Sequence, residues 1–374
     1  MAVHIVIAPD KFKGSLTGSE AAEAIRAGFA AIFPSATYDL LPLADGGEGL
    51  LEAFARGTAG VETHVATVRN ALGTDVSAEF LIFNETAVIE SSQANGLCLI
   101  PPADRDITLA STYGVGQLIA AAASAGAEHI LIGIGGSATN DAGLGLVAAL
   151  GCRFLDSAGN GVEPIPANIP RIAAIDSSEM IELPPITVAC DVANPLFGAR
   201  GATRVYGPQK GLLPEHADET EGLLRRFADL ANLHFQTDFT ETPGAGAAGG
   251  LGYGLMTFCK ATLESGFDCI AIALDAEERI AKADLVITAE GSLDSQTLEG
   301  KTPHGVSRLA RKYGIPVYAL AGRLADEELL HLHFDGIASI ANSPMTLAEA
   351  VANAPELLQK AATRLAHTLK SRKV

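Results

Sequence analysis

The chain of 374 residues has no tryptophan, and aromatic residues make up only 5% of it. Basic residues are outnumbered: 26 Lys and Arg stand against 44 Asp and Glu, a net charge of −18. That balance argues against nucleic acid or an anionic membrane as partner. It leaves room for an anionic small molecule, because a few clustered Lys or Arg residues can reverse the field inside one cleft. The five cysteines are odd in number and form no C-x-x-C. This points to free thiols in a reducing compartment and away from a disulfide framework or a zinc site. No apolar segment is long enough and free enough of breakers to span a bilayer. The N-terminal "MAVHIVIAPDKFKG" has a short apolar run with no basic region before it, so it reads as a strand and not as a signal peptide. The expected location is the cytoplasm and the expected partner a small molecule. A homodimer is compatible with all of this.

What is present is 48% hydrophobic residues and 39 glycines, which suit closely packed helices on a parallel sheet. Val3–Ala8 reads as a strand. Thr17 and Glu20 form a capping box that opens a helix with Ile25, Phe29, Ile32 and Phe33 on one face. Residues 61–92 are rich in β-branched residues and read as a small meander. An α/β rhythm follows, with helix 111–125, strand 129–135 and helix 141–150. It resumes with strand 284–289, helix 304–313, strands 315–320 and 336–340, and helix 346–370. The expected fold is α/β. A doubly wound, mostly parallel-sheet domain (1–60, 106–190 and 282–374) is interrupted by a second α/β domain (61–105 and 191–281), with the active site in the cleft between them.

In open parallel sheets ligands bind outside the carboxyl ends of strands. The loops expected there share a composition of glycines, one or two carboxylates and an occasional Lys. They carry Asp10, Lys11 and Lys13; Asp45 and Glu48; Gly135, Gly136, Ser137, Thr139, Asn140 and Asp141; Asp191 and Asn194; and Glu290, Asp294, Lys301 and Thr302. Glycine lets backbone N–H groups approach an anion, whereas carboxylates need a metal or a proton. Together these are the parts of a phosphoryl-transfer site handling a magnesium nucleotide.

Three glycine patterns need separating. Gly300-Lys301-Thr302 ends like a P-loop, but that loop needs a glycine where Ser295 stands. Gly244 to Gly249 spell a full G-x-G-x-x-G, yet no convincing strand precedes them. Gly133 to Ala138 follow a strand, and Asp156 stands about twenty residues on, where a ribose-binding acid is expected. Against a dinucleotide, Asp141 opposes a pyrophosphate by like charge.

The segments "IVIAPDKFKGSLT", "PLADGGEG", "STYGVGQLI", "IGIGGSATNDAGLG", "CDVANPLFG", "GPQKG", "PGAGAAGGLG" and "DLVITAEGSLDSQTLEGKTPHGV", in this order, resemble the bacterial glycerate kinase family. The resemblance runs from residue 5 to about 306. It implies ATP-dependent phosphorylation of D-glycerate with Mg²⁺, giving 2-phosphoglycerate. Under that reading Asp45 and Asp191 are the candidates for metal binding or hydroxyl activation, and Lys301 and Lys11 neutralise phosphate or carboxylate charge. Gly135, Gly136, Ser137, Thr139 and Asn140 donate to phosphate or glycerate. Glu290 and Asp294 serve metal or ribose. Lys13, Arg69 and Arg105 are candidates for the glycerate carboxylate. Three alternatives stand beside it: 3-phosphoglycerate as product, an NAD-dependent dehydrogenase using Gly133, Gly135 and Asp156, and a non-catalytic sugar-acid binding module.

Overall fold

The structure, a computed structural model, describes residues 3–44, 46–47, 49–58, 60–341 and 343–371. The strands in chain order are β1 His4–Ile7, β2 Thr37–Leu40, β3 Glu62–Arg69, β4 Asp75–Phe83, β5 Thr86–Glu90, β6 His129–Gly133, β7 Arg153–Leu155, β8 Ala174–Asp176, β9 Ile186–Ala189, β10 Thr262–Glu264, β11 Leu285–Leu293, β12 Val317–Leu324 and β13 Gly336–Ser339. The chain divides into two compact units. Residues 1–45, 52–59 and 265–374 form the first, and 46–51 and 60–264 the second.

In the first unit β13, β12, β11, β1 and β2 lie side by side, all parallel. Counted within the unit the order is 2-1-3-4-5, so the winding reverses between β1 and β11. Such a reversal opens a crevice at the carboxyl ends of the two strands. The capping box is present: Thr17 Oγ1 accepts from Glu20 N–H, and the Glu20 carboxylate accepts from Thr17 N–H. The helix it opens, Gly18–Ala30, buries Ile25 and Phe29 in one core with Leu358, Ala361 and Ala362 of helix Ala354–Ser371. The two helices approach closely at Gly28. A Cβ there would stand 2.5 Å from the Gln359 carbonyl oxygen and 2.7 Å from Ala362 Cβ. At the far side of the unit, half-buried Arg279 binds both Asp39 carboxylate oxygens and the carbonyls of Gly57 and Leu40.

In the second unit the order is β10-β9-β6-β5-β4-β3. The meander β3-β4-β5 is antiparallel and β5-β6-β9-β10 is parallel. The winding here never reverses. A separate antiparallel pair, β7 and β8, brackets an irregular stretch that carries Pro164, Pro166 and Pro170.

The expected domain grouping is therefore redistributed. Residues 106–190 join the meander, because β6 pairs residue by residue with β5 and then with β9. Residues 265–281 join the first unit. The doubly wound sheet is consequently smaller than expected. Two helices also differ. The helix expected at 141–150 begins only at Leu144, because Ala142 and Gly143 hold positive φ. The helix expected at 346–370 is two, Leu347–Ala352 and Ala354–Ser371, with Asn353 capping the first.

All five cysteines are free thiols, and Cys98 alone is exposed. Burial pushes the Cys152 and Cys259 thiols up to about 12 and the Cys190 thiol up to about 11. Among the described residues no helix is long and apolar enough to cross a membrane.

Gly28→Ala tests the helix contact in the first unit. Overpacking there is expected to lower stability by about 1–3 kcal/mol. The check is the urea midpoint, and an unchanged midpoint would show that the helices can part at no cost.

Candidate active site

The glycine-rich turn after β6 is the most constrained part of the second unit. Its glycines are required by close backbone approach. A Cβ on Gly135 would come 2.7 Å from Gly47 Cα, and one on Gly133 would run into the Gly46 carbonyl. Gly46 itself lies against the Ala189 backbone at the end of β9. Three sequence-distant loops thus meet at the carboxyl ends of β6 and β9. The other G-x-G-x-x-G match, 244–249, is explained the same way. Gly249 lies against the Thr139 backbone, and its carbonyl accepts from Ala142 N–H at 3.2 Å. Its glycines serve backbone packing.

Behind the turn sits a buried polar network. Asp141 is fully buried. Its Oδ2 accepts from Thr112 N–H and Oγ1–H at 2.8 Å each and from Gly145 N–H at 3.1 Å. Its Oδ1 accepts from Gly143 N–H at 3.1 Å. Thr112 Oγ1 in turn accepts from Leu146 N–H. The carboxylate therefore ties together the starts of helices Tyr113–Ser124 and Leu144–Ala149, where the dipoles favour negative charge. Burial raises its pKa, and these donors oppose the rise. Lys210, also buried, donates from Nζ to Ser137 Oγ at 2.8 Å and to the Thr139 carbonyl at 2.6 Å.

The side chains of Thr139 and Asn140 turn inward. Thr139 Oγ1 accepts from Asn95 Nδ2, and Asn140 Nδ2 donates to Thr203 Oγ1. The amide oxygens of Asn95 and Asn140 and the Ser91 hydroxyl are buried without a hydrogen-bond partner among the described residues. The groups nearest the surface are Gly135 and Gly136, followed by Ser137 at 4% exposure. Asp191 stands two residues beyond β9, half-buried. Asp45 and Glu48 lie outside the described residues.

The first unit gathers a second set at its winding reversal. Asp10, buried at the end of β1, accepts from Lys11 N–H at 2.7 Å and from Thr302 Oγ1 at 2.8 Å. Lys301 is the N-cap residue of helix Thr302–Lys312, and its Nζ stands 3.5 Å from Glu290 Oε1 near the end of β11. So Thr302 is engaged by a carboxylate, and the Gly-Lys-Thr run is a helix start of a different kind from a P-loop. Asp294 closes a turn with Thr297. Lys13 is exposed.

The two candidate carboxylate clamps differ. Arg69 is exposed and lies 5.1 Å over the Tyr113 ring. Arg105 donates from its two terminal nitrogens to the Gln209 and Leu97 carbonyls.

Among the described residues no group of three His, Cys, Asp or Glu is arranged to hold a metal. An Mg²⁺ arriving with a nucleotide needs only one or two carboxylates, with phosphate oxygens and water completing its shell. The Asp191 carboxylate fits that smaller requirement.

The glycerate kinase family model matches residues 5–370. The chain belongs to the glycerate kinase family. It is accordingly an enzyme of the kinase class. It is 43% identical to the glycerate kinase of Bacillus subtilis (strain 168) over 98% of each chain. It is 44% identical to the glycerate 2-kinase of Escherichia coli (strain K12), again over 98% of each. A Salmonella typhimurium LT2 protein assigned as glycerate kinase 2 superposes with a TM-score of 0.87 at 43% identity, covering all of both chains.

The dehydrogenase alternative is not supported. A dinucleotide fingerprint needs the helix N-terminus at the glycine turn. In this glycerate kinase family member the helix starts six residues after Ala138, at Leu144. Asp156 is spent on a surface turn, accepting from Ala158 and Asn160 N–H.

Lys210, inside "GPQKG", and the structural part of Asp141 were not legible in the sequence. Nor was Glu90, whose carboxylate accepts from Leu51 N–H at the end of β5. A lysine between two glycines carries no signal of burial. Asp141→Asn is expected to lower stability by about 3 kcal/mol, because an amide nitrogen would face donors it cannot satisfy. Equilibrium unfolding in urea measures this, and a wild-type midpoint would remove Asp141 as the anchor of the turn.

Proposed function

We propose that the protein phosphorylates D-glycerate at its 2-hydroxyl, with ATP as donor and Mg²⁺ as cofactor, and releases 2-phosphoglycerate and ADP. The observation that carries this reading is the 44% identity over 98% of both chains to a protein named glycerate 2-kinase. The chemistry of the strand-end loops supports it. The glycerate hydroxyl oxygen attacks the γ-phosphorus, a new O–P bond forms, and the bond to the β,γ-bridging oxygen breaks as ADP leaves. The hydroxyl proton goes to a carboxylate, for which Asp45 and Asp191 are our candidates; either also serves as the ligand of the metal. Bound Mg²⁺ neutralises charge on the phosphate oxygens. Lys11 and Lys301 counter phosphate charge, and Glu290 and Asp294 are candidates for the metal or the ribose. The N–H groups of Gly135 and Gly136 and the Ser137 hydroxyl donate to anionic oxygen. Thr139 and Asn140 shape that turn from behind. Lys13 and Arg69 are candidates for the glycerate carboxylate. The five free thiols support a reducing compartment, and we place the protein in the cytoplasm.

A coupled ADP-release assay with D-glycerate, ATP and Mg²⁺, with phosphorus NMR of the product, tests the proposal. The expected outcome is glycerate-dependent ADP release with 2-phosphoglycerate as product. Formation of 3-phosphoglycerate would reassign the acceptor hydroxyl, and absence of glycerate-dependent turnover would refute the substrate. Asp191→Asn is expected to lower kcat by about a hundredfold or more at an unchanged melting temperature. Lys301→Ala is expected to raise the KM for ATP by about tenfold. A wild-type KM for ATP in Lys301→Ala would take Lys301 out of phosphate binding.

A further inference from the structure

Lys210 ends the short turn Pro208–Lys210 and is among the largest fully buried side chains of the protein. A buried ammonium needs acceptors for its hydrogens, and the structure supplies Ser137 Oγ and the Thr139 carbonyl. Two charged groups face this turn from the elements packed on it. Asp141 acts on Lys210 through its charge. Arg105 donates to the Gln209 carbonyl, and its own backbone packs on Gly211.

The consequence falls on Ser137. A hydroxyl has one hydrogen and two lone pairs. When the ammonium donates to Ser137 Oγ, one lone pair is occupied and the hydroxyl hydrogen must turn away from Lys210. It is then available to a ligand in the Gly135–Ser137 turn. A neutral amine reverses the bond: its lone pair accepts the Ser137 hydrogen, and the turn loses its donor.

We propose that Lys210 is a positioning residue for phosphoryl transfer, holding the Ser137 hydroxyl as a donor toward an anionic oxygen of the bound ligand. The ligand chemistry is a carboxylate or phosphoryl oxygen, contributed by glycerate or by ATP. This rests on the reading of the Gly135–Ser137 turn as an anion site. Burial supports a role for the proton, since it pushes the Lys210 pKa down to about 7 while Asp141 pulls it back up.

The test is a double-mutant cycle in steady-state kinetics, with ATP and D-glycerate varied separately. Lys210→Met and Ser137→Ala are each expected to raise the KM for one ligand by about tenfold. The double variant is expected to be no worse than either single variant, because the lysine acts through the hydroxyl. A rise confined to glycerate assigns the carboxylate, and one confined to ATP assigns the phosphoryl oxygen. Additive effects, about a hundredfold in the double variant, overturn the proposal. So does Lys210→Met with both KM values unchanged, whatever its kcat. If Ser137→Ala is itself indistinguishable from wild type, the anion-site reading fails and the proposal with it. Should Lys210→Met not fold, the wild type and Ser137→Ala are compared across pH. In the wild type the affected KM is expected to rise as pH increases through neutrality, and in Ser137→Ala it is expected to stay flat. The same alkaline limb in both would show that the proton acts elsewhere.

Discussion

A buried carboxylate, Asp141, ties two helix starts of the second unit together. Asp141 is fully buried, so the protein must supply donors for its charge. It does so by aiming three backbone N–H groups and the Thr112 hydroxyl at the two oxygens. Those donors come from two helix starts, which fixes where both helices begin. Gly143 can serve only from a positive φ, so the chain after the turn cannot run straight into a helix. The turn therefore stays open and presents Gly135, Gly136 and Ser137, with the opposite charge of Lys210 placed behind it.

The local parts of this were legible in the sequence, and the non-local parts were not. The capping box at Thr17 and Glu20 is written in four consecutive residues, and it forms. Strand positions were also readable, because apolar runs between glycine turns mark them. Which strands pair was not readable. The run around Ile130 fits a parallel neighbour such as β1 as well as it fits β5, and only the packed sheet decides. That single ambiguity moved residues 106–190 from one unit to the other. The break at Asn353 escaped notice because an apolar periodicity continues across it.

Site residues divide along the same line. Loops at strand ends could be picked out by composition, and most of the selected residues do stand at strand ends. What their side chains do could not be read, since burial is invisible in a string of letters. Thr139 and Asn140 look like ligand donors, and that their side chains are buried against Asn95 and Thr203 could not be foreseen. Lys210 looks like a surface residue and proves to be one of the most enclosed side chains in the chain. Arg105 has the charge of a carboxylate clamp, and its contacts to two backbone carbonyls could not be read from the sequence.

The treatment of the thiols has a practical consequence. Only the thiolate attacks an electrophile. Burial pushes the Cys152, Cys190 and Cys259 thiols above the ordinary range, and Cys269 is buried. Cys98 stands alone at the surface. A maleimide dye or a spin label added to the folded protein therefore finds its most accessible attachment point within the short helical turn Leu97–Leu99, with no cysteine engineered in or out. Five cysteines are encoded, and the fold leaves one of them exposed.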